Sequence, residues 1–279
     1  MKRSDSLAEP RADGEPVRQD GQRDAATRMR VVNPVLAEMI ANMLRDRILS
    51  GQIVGTLPRQ EDLVDEFHVS PPSVREALRI LQAEGLVTVK RGSVGGALVH
   101  IPGPDRVAYV LGMILQSRNA VLEDVGAAMG IMEPACAASC AARPDRRATV
   151  VPALRDVVAR SYEVIDDPFA YMRLAIEFHA EIVSGSGNHC VTVMLGALDA
   201  LLSAHLQSLA LRATRHGIFP DLDSRLRSHQ EHVQLVDAID AGDPSEAEKL
   251  LRLHLSDPAW RTRILGTDRP VRAGVVRDI

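Results

Sequence analysis

The chain has 279 residues, 46% apolar and 25% charged, with a net charge of −4 and a pI near 6.1. At roughly 100–200 residues per domain, that length suggests about two domains. There is no run of ~18 consecutive apolar residues and no apolar centre in the opening segment, so neither membrane spanning nor secretion is expected. Three cysteines are too few for a disulfide framework, which points to a reducing, cytoplasmic setting. Aromatic residues make up only 3%, favouring helices over a β-sandwich or barrel. The acidic balance gives no global nucleic-acid signature, so any DNA contact must come from a local basic surface.

Residues 1–30 hold seven Lys/Arg, six Asp/Glu and two prolines. Such a segment cannot bury enough apolar surface to offset its ordering entropy, and residues 1–31 read as a disordered arm. From Pro34 the pattern is regular. Leu36, Ile40, Met43, Leu44 and Ile48 share one face of a helix that ends near Ser50-Gly51. A short helix follows over Gln60–Phe67. A third opens at Ser70, turns Val74, Leu78 and Leu81 inward, and stops at Glu84-Gly85. Two β-prone runs, Leu86–Val89 and Ala97–Ile101, flank a glycine-rich basic turn and predict a hairpin. Three helices and a hairpin over residues 32–102 outline a winged helix-turn-helix.

Pro102-Gly103-Pro104 breaks the chain there. Residues 103–120 read as a connecting segment. Beyond it the sequence predicts helices near 121–142, 146–165, 168–185, 188–214, 220–241 and 244–258, an all-α bundle over 121–262. Residues 263–279 read as a flexible tail, frayed after Thr267. The fold class is thus mainly α, with a winged helix-turn-helix followed by an all-α bundle.

Ser70 before Pro71-Pro72 marks a helix start, with a hydroxyl at the cap and prolines where no N–H is required. The exposed face at that start is expected to present Ser73 and Arg75 to base edges, Arg75 as a forked donor to guanine. Arg79, Lys90 and Arg91 are expected to flank it on phosphates. Gly92, Gly95 and Gly96 let the wing lie close to the DNA backbone. The run DEFHVSPPSVREALRILQAEGLV, followed by KRG-x-x-GG, resembles the GntR family of bacterial winged-helix regulators, and the helical remainder resembles its FadR-type branch. That resemblance implies a homodimer on an inverted-repeat operator, double-stranded DNA as partner, and a small effector, often an organic acid, that changes DNA affinity. Arg75, Arg91 and Gly92 match the family's contacts. Two positions depart: Pro71 follows the serine where many members carry arginine, and Glu61 stands where many carry another, with Arg59 two positions earlier.

Three histidines lie on separate predicted helices: His179 in IEFHAEI, His232 in SHQEHVQLVDAI and His254 in EKLLRLHL. Imidazoles converging in a bundle core can bind zinc or nickel. Spacing alone is a weak signal, but the resemblance implies a metal site made by an aspartate, a histidine four residues later and two more histidines. The aspartate is missing, because Ala175 stands four before His179. The family's pocket arginine, four before a glutamate that matches Glu133, is here Met129. Both losses point toward a less acidic or more apolar effector at a pocket marked by Met129, Glu133 and Ala175. Cys136 and Cys140, one helical turn apart, read as buried small hydrophobes, and Cys190 beside His189 carries no assigned role. Two alternatives stay open: a metal-independent regulator sensing an acyl-coenzyme A or another apolar ligand, and, more remotely, a metal-dependent hydrolase with Glu177 as base. The leading reading is not an enzyme but a transcriptional regulator, in outline a repressor.

Overall fold

A computed structural model describes residues 34–89, 96–213, 220–256 and 269–274, with residues 206–213 described by their backbone only. The N-terminal arm and Lys90, Arg91, Gly92 and Gly95 of the wing turn lie outside the described residues. The chain divides into two units between Ile101 and Pro102.

In the first unit, α1 (Pro34–Leu49) buries Ala37, Ile40, Ala41, Leu44 and Ile48. Met43, expected on that face, is 47% exposed, because the two alanines complete the stripe a residue earlier. Helix α2 (Gln60–Phe67) ends at His68, whose φ of 52° lets its N–H close on the Val64 carbonyl. Helix α3 (Pro71–Ala83) follows after three residues and packs on both α1 and α2. Strands β1 (Val87–Val89) and β2 (Ala97–Val99) pair antiparallel, Val87 opposite Val99. The chain before α2 adds a rung, as Thr56 bridges Leu98 and Leu57 N–H donates to the Ala97 carbonyl at 2.9 Å. A Cβ on Gly96 would come within 3.2 Å of Thr56, so this crossing needs a small residue. Leu44, Leu63, Val74, Leu81 and Val87 meet in one core. Arg45 on α1 grips Glu84, the cap of α3, through a forked pair at 2.5 and 2.8 Å.

Among its described residues the second unit is helical apart from one short bridge: α4 (Pro104–Ser117), α5 (Leu122–Ala142), α6 (Arg146–Glu163), α7 (Pro168–Gly185), α8 (His189–Ala213), α9 (Leu222–Ala241) and α10 (Pro244–Leu255). Three starts follow one rule. Asp167, Asp221 and Asp243 each accept a backbone N–H of the first turn, and Pro168 and Pro244 stand at the first helical position. By length and apolarity α5 would pass for a membrane span. It is instead a core helix, packed against α7, α8, α9 and α10 and carrying Glu133 inside.

Two expectations need correction here. The connecting segment is largely helix α4, because Pro104 begins a helix as its first residue rather than breaking one. The tail is not frayed throughout. Residues 269–274 run back across the start of α5: Leu122 N–H donates to the Arg269 carbonyl at 2.9 Å, and Val271 N–H to the Ala120 carbonyl at 3.0 Å. Val271 is fully buried with Ala108 of α4, Leu122 of α5 and Leu201 of α8. Two side chains lock this strap: Gln116 accepts from Ala273 N–H at 3.0 Å and His205 Nε2 accepts from Arg272 N–H at 2.9 Å. Gly112 on α4 leaves the space that Ala273 occupies, since a Cβ there would sit 3.2 Å from the Ala273 Cα.

Val271→Asp should bury an unpaired carboxylate in this cluster and destabilise the chain by about 3 kcal/mol or more. Chemical denaturation reads this directly; a loss below about 0.5 kcal/mol, the size of an ordinary surface change, would show that the strap does not close the bundle.

Candidate functional site

The reading helix comes first. Ser70 precedes α3 in extended conformation, and Pro71 and Pro72 fill the first turn. The Ser70 hydroxyl does not cap the helix backbone. It meets the Ser73 hydroxyl at 3.1 Å, and Ser73 is 3% exposed. Ser73 therefore cannot present itself to bases as expected: the two hydroxyls satisfy each other and let it turn inward beside Val74. Arg75 stands exposed and makes no hydrogen bond or ion pair with any described residue. Arg79 is held by Glu76 through a forked pair at 2.6–3.1 Å, so it faces phosphate only after exchanging that partner. Arg59 is exposed just before α2, where its N–H donates to Asp62 at 3.0 Å.

In the bundle, His179 from α7, His232 from α9 and His254 from α10 converge, one ring nitrogen of each lying within 4.8 Å of the others. Two carboxylates set their hydrogens. His179 Nδ1 donates to Glu133 at 2.8 Å and His254 Nδ1 donates to Glu231 at 2.6 Å. Each keeps its lone pair on Nε2, the arrangement that suits a metal ligand. His232 Nε2 lies 3.2 Å from His254 Nε2. Two nitrogens at about 2.0–2.1 Å from a tetrahedral zinc ion lie about 3.3–3.4 Å apart, so the pair is already at ligand spacing. His232 is 2% exposed and stacks on Phe178 with ring centres 4.1 Å apart. Burial, then the neighbouring His254 and His179, holds it neutral far below the usual imidazole range. Burial also lowers His254, opposed by Glu231.

A cavity of about 130 Å³ opens beside His179, lined among others by Pro104, Met129, Glu133, Thr192, Leu195 and Asp199. Met129 and Glu133 stand where the sequence placed them. Ala175 does not line the cavity; it is buried in α7 one turn before His179. Glu177, the candidate base, turns outward and pairs with Arg160 at 2.5 Å. Asp199 was missed. Burial pushes its carboxyl up to about 6, Glu133 adds to the effect, and His179 and Ser203 oppose it. An acidic residue inside the apolar run MLGALDALL was the available signal. A second, open groove of about 440 Å³ between α6 and α9 carries Tyr162 and His229 but no comparable cluster of donors. Burial drives Cys140 up to about 12 and raises Cys136 as well, so both behave as core residues rather than redox thiols.

The family described as bacterial regulatory proteins, gntR family, matches residues 36–95, and the FCD domain matches residues 124–257. The HTH-type transcriptional repressor NanR of Klebsiella aerogenes is 25% identical over 241 residues, covering 84% of this chain and 88% of that protein. Its counterpart from Citrobacter rodentium is 26% identical over 238 residues, 83% of this chain and 86% of that one. Among solved structures, Streptococcus agalactiae GntR matches with a TM-score of 0.60 at 22% identity, over 78% of this chain and 96% of that chain, a likeness of fold.

His205, His229, His232 and His254 are all held below the ordinary imidazole value, with burial the largest cause. The unfolded chain therefore binds protons first as pH falls through about 6.5. Stability of metal-free protein should be full above that value and decline below it. Urea titrations between pH 7.5 and 5 check the sign; stability that rises on acidification would contradict these buried neutral imidazoles.

Proposed function

The chain belongs to the gntR family of bacterial regulatory proteins and carries an FCD domain, and from that premise we propose that it represses transcription in the cytoplasm, leaving its operator when a small effector enters the cavity beside the three histidines. It is a DNA-binding regulator. The observation that carries the effector reading is the set of three imidazoles, two with tautomers fixed by carboxylates, one of which, His179, lines a cavity.

We infer a divalent ion, zinc or nickel, held by His179, His232 and His254. Three protein ligands leave a position for an effector's own donor atom, which is the chemistry such an ion supplies when bound. The side chains do the rest. Glu133 and Glu231 hold the rings of His179 and His254 in register, and Phe178 seats His232. Met129, Leu195 and Pro104 supply the cavity's apolar walls. Because the donors come from α5, α7, α9 and α10, an occupant that fits one arrangement of these helices better than another shifts their population. The 130 Å³ volume is well below the roughly 300–1,000 Å³ of drug-sized ligand sites, which speaks against an acyl-coenzyme A. With Glu177 committed to Arg160, a hydrolytic reading has lost its base.

On the DNA side, Arg75 is the base-reading residue, supported by its exposure and freedom at the start of α3. A homodimer on an inverted repeat is supported by α4, which buries Ala108 and Gly112, with Leu115 half-buried beside them, on one side. On another side it leaves Val107, Val110 and Ile114 44%, 49% and 47% exposed, an apolar stripe at helical spacing.

Arg75→Ala should cost about 1–3 kcal/mol of operator discrimination while leaving random-DNA affinity nearly unchanged. Gel-shift titrations on operator and scrambled duplexes separate the two, and equal losses on both would remove the base-reading role. Ile114→Glu should convert the dimer to monomer in sedimentation analysis; an unchanged mass would place the dimer contact elsewhere. Zinc added to chelated protein should bind near one ion per chain, with His232→Ala losing it; absence of binding to either protein would retire the metal.

A further inference from the structure

The charge lining the cavity narrows what can enter it. Two carboxylates line it, Glu133 and Asp199, and no Lys or Arg does among the described residues. Glu133 is already committed, accepting the His179 Nδ1–H at 2.8 Å with a side chain 2% exposed. Asp199 is not one of the side chains whose ligand atoms cluster within 4.8 Å, although His179 lies near enough to act on its charge. It stands on α8, across from α5 and α7, and Ser203 one turn further along is its nearby hydroxyl. The remaining walls, Met129, Leu195 and Pro104 among them, offer no charge to an incoming anion.

Resting on the reading of this cavity as the effector site, we propose that its ligand is a small primary amine bearing a hydroxyl or carboxylate donor, with the ammonium bound by Asp199 and the other donor directed toward the three histidines. An ammonium offers three N–H donors and gives the half-buried Asp199 carboxylate a full opposite charge, which the Ser203 hydroxyl does not supply. A simple carboxylate gains nothing from that side: it would meet Asp199 and Glu133 as like charges. Thr192 supplies a hydroxyl at the same rim, though its hydrogen already goes to the Val183 and Asn188 carbonyls at 3.3 and 3.0 Å, so it has only lone pairs to offer. A hydroxyl acceptor again suits a ligand that donates. The volume suits a ligand of few heavy atoms. Asp199 stands outside the group of three clustered imidazoles, so a ligand that carries two groups can engage both.

The test uses the full chain loaded with zinc and three nearly isosteric probes: 2-amino-1-propanol, lactate and 1,2-propanediol. Titration calorimetry at pH 7.5 should show the amine binding at least about tenfold more tightly than either of the others, and Asp199→Asn should remove that advantage. Glu177→Gln, outside the cavity, should keep it. Zinc content is measured on every sample. Lactate binding more tightly than the amine, amine binding indifferent to Asp199→Asn, or no amine binding to zinc-loaded folded protein would each overturn the proposal. Lactate binding that needs zinc would leave the effector site standing and discard only the ammonium. Loss of zinc together with silence from all three probes would discard both.

Discussion

A carboxylate that accepts the Nδ1–H of a histidine decides which nitrogen of the ring keeps its lone pair, and the bundle uses that constraint twice. Glu133 on α5 sets His179 on α7, and Glu231 on α9 sets His254 on α10. Since Glu133 is buried and His179 largely covered, neither helix can rotate without leaving a buried carboxylate unpaired, which is far costlier than losing a surface ion pair. The second pair joins neighbouring helices at the more exposed edge. Around these two bonds the apolar packing of Phe178, Leu174 and Leu235 needs to supply only density, while the hydrogen bonds supply register.

Much of this was legible in the sequence, and the reasons are specific. Helices α1, α2 and α3 announce themselves through their apolar spacing and through Ser70-Pro71-Pro72. The Asp-Pro starts of α7 and α10 are written out at Asp167 and Asp243. The histidine cluster was not legible from spacing, since the three residues span seventy-five positions of the chain and only the family resemblance grouped them. Asp199 was overlooked because it stands alone in an apolar helix far from any motif. Ser73 was misread because a polar residue at a helix start is expected outside, whereas a partner hydroxyl three residues back removes the penalty for turning it in.

Helix α4 and the strap of residues 269–274 escaped for a shared physical reason. Pro102-Gly103-Pro104 carries breaker chemistry that reads equally as a boundary and as a helix start, and Gly112 weakens the helical pattern further. The strap has no period at all. Its six residues are held by backbone hydrogen bonds and by the space Gly112 leaves, neither of which a hydropathy pattern records. Pro104 lines the cavity, and a Cβ on Gly196 would come within 3.1 Å of it, so the first residue of α4 borders the cavity while its other end is tied to the strap.

The strap sets an order of events during synthesis. A ribosome makes the chain from the N-terminus, and residues 34–101 have every partner of their own core in hand early. The other unit does not: Leu122 must wait for Arg269, some 147 residues later, before its N–H finds its carbonyl. Until Val271 has emerged, the cluster of Ala108, Leu122 and Leu201 remains uncovered, and α4 is held from one end only. A nascent chain can therefore display a finished DNA reader before its sensor has closed, leaving it sticky at one apolar seam during that interval.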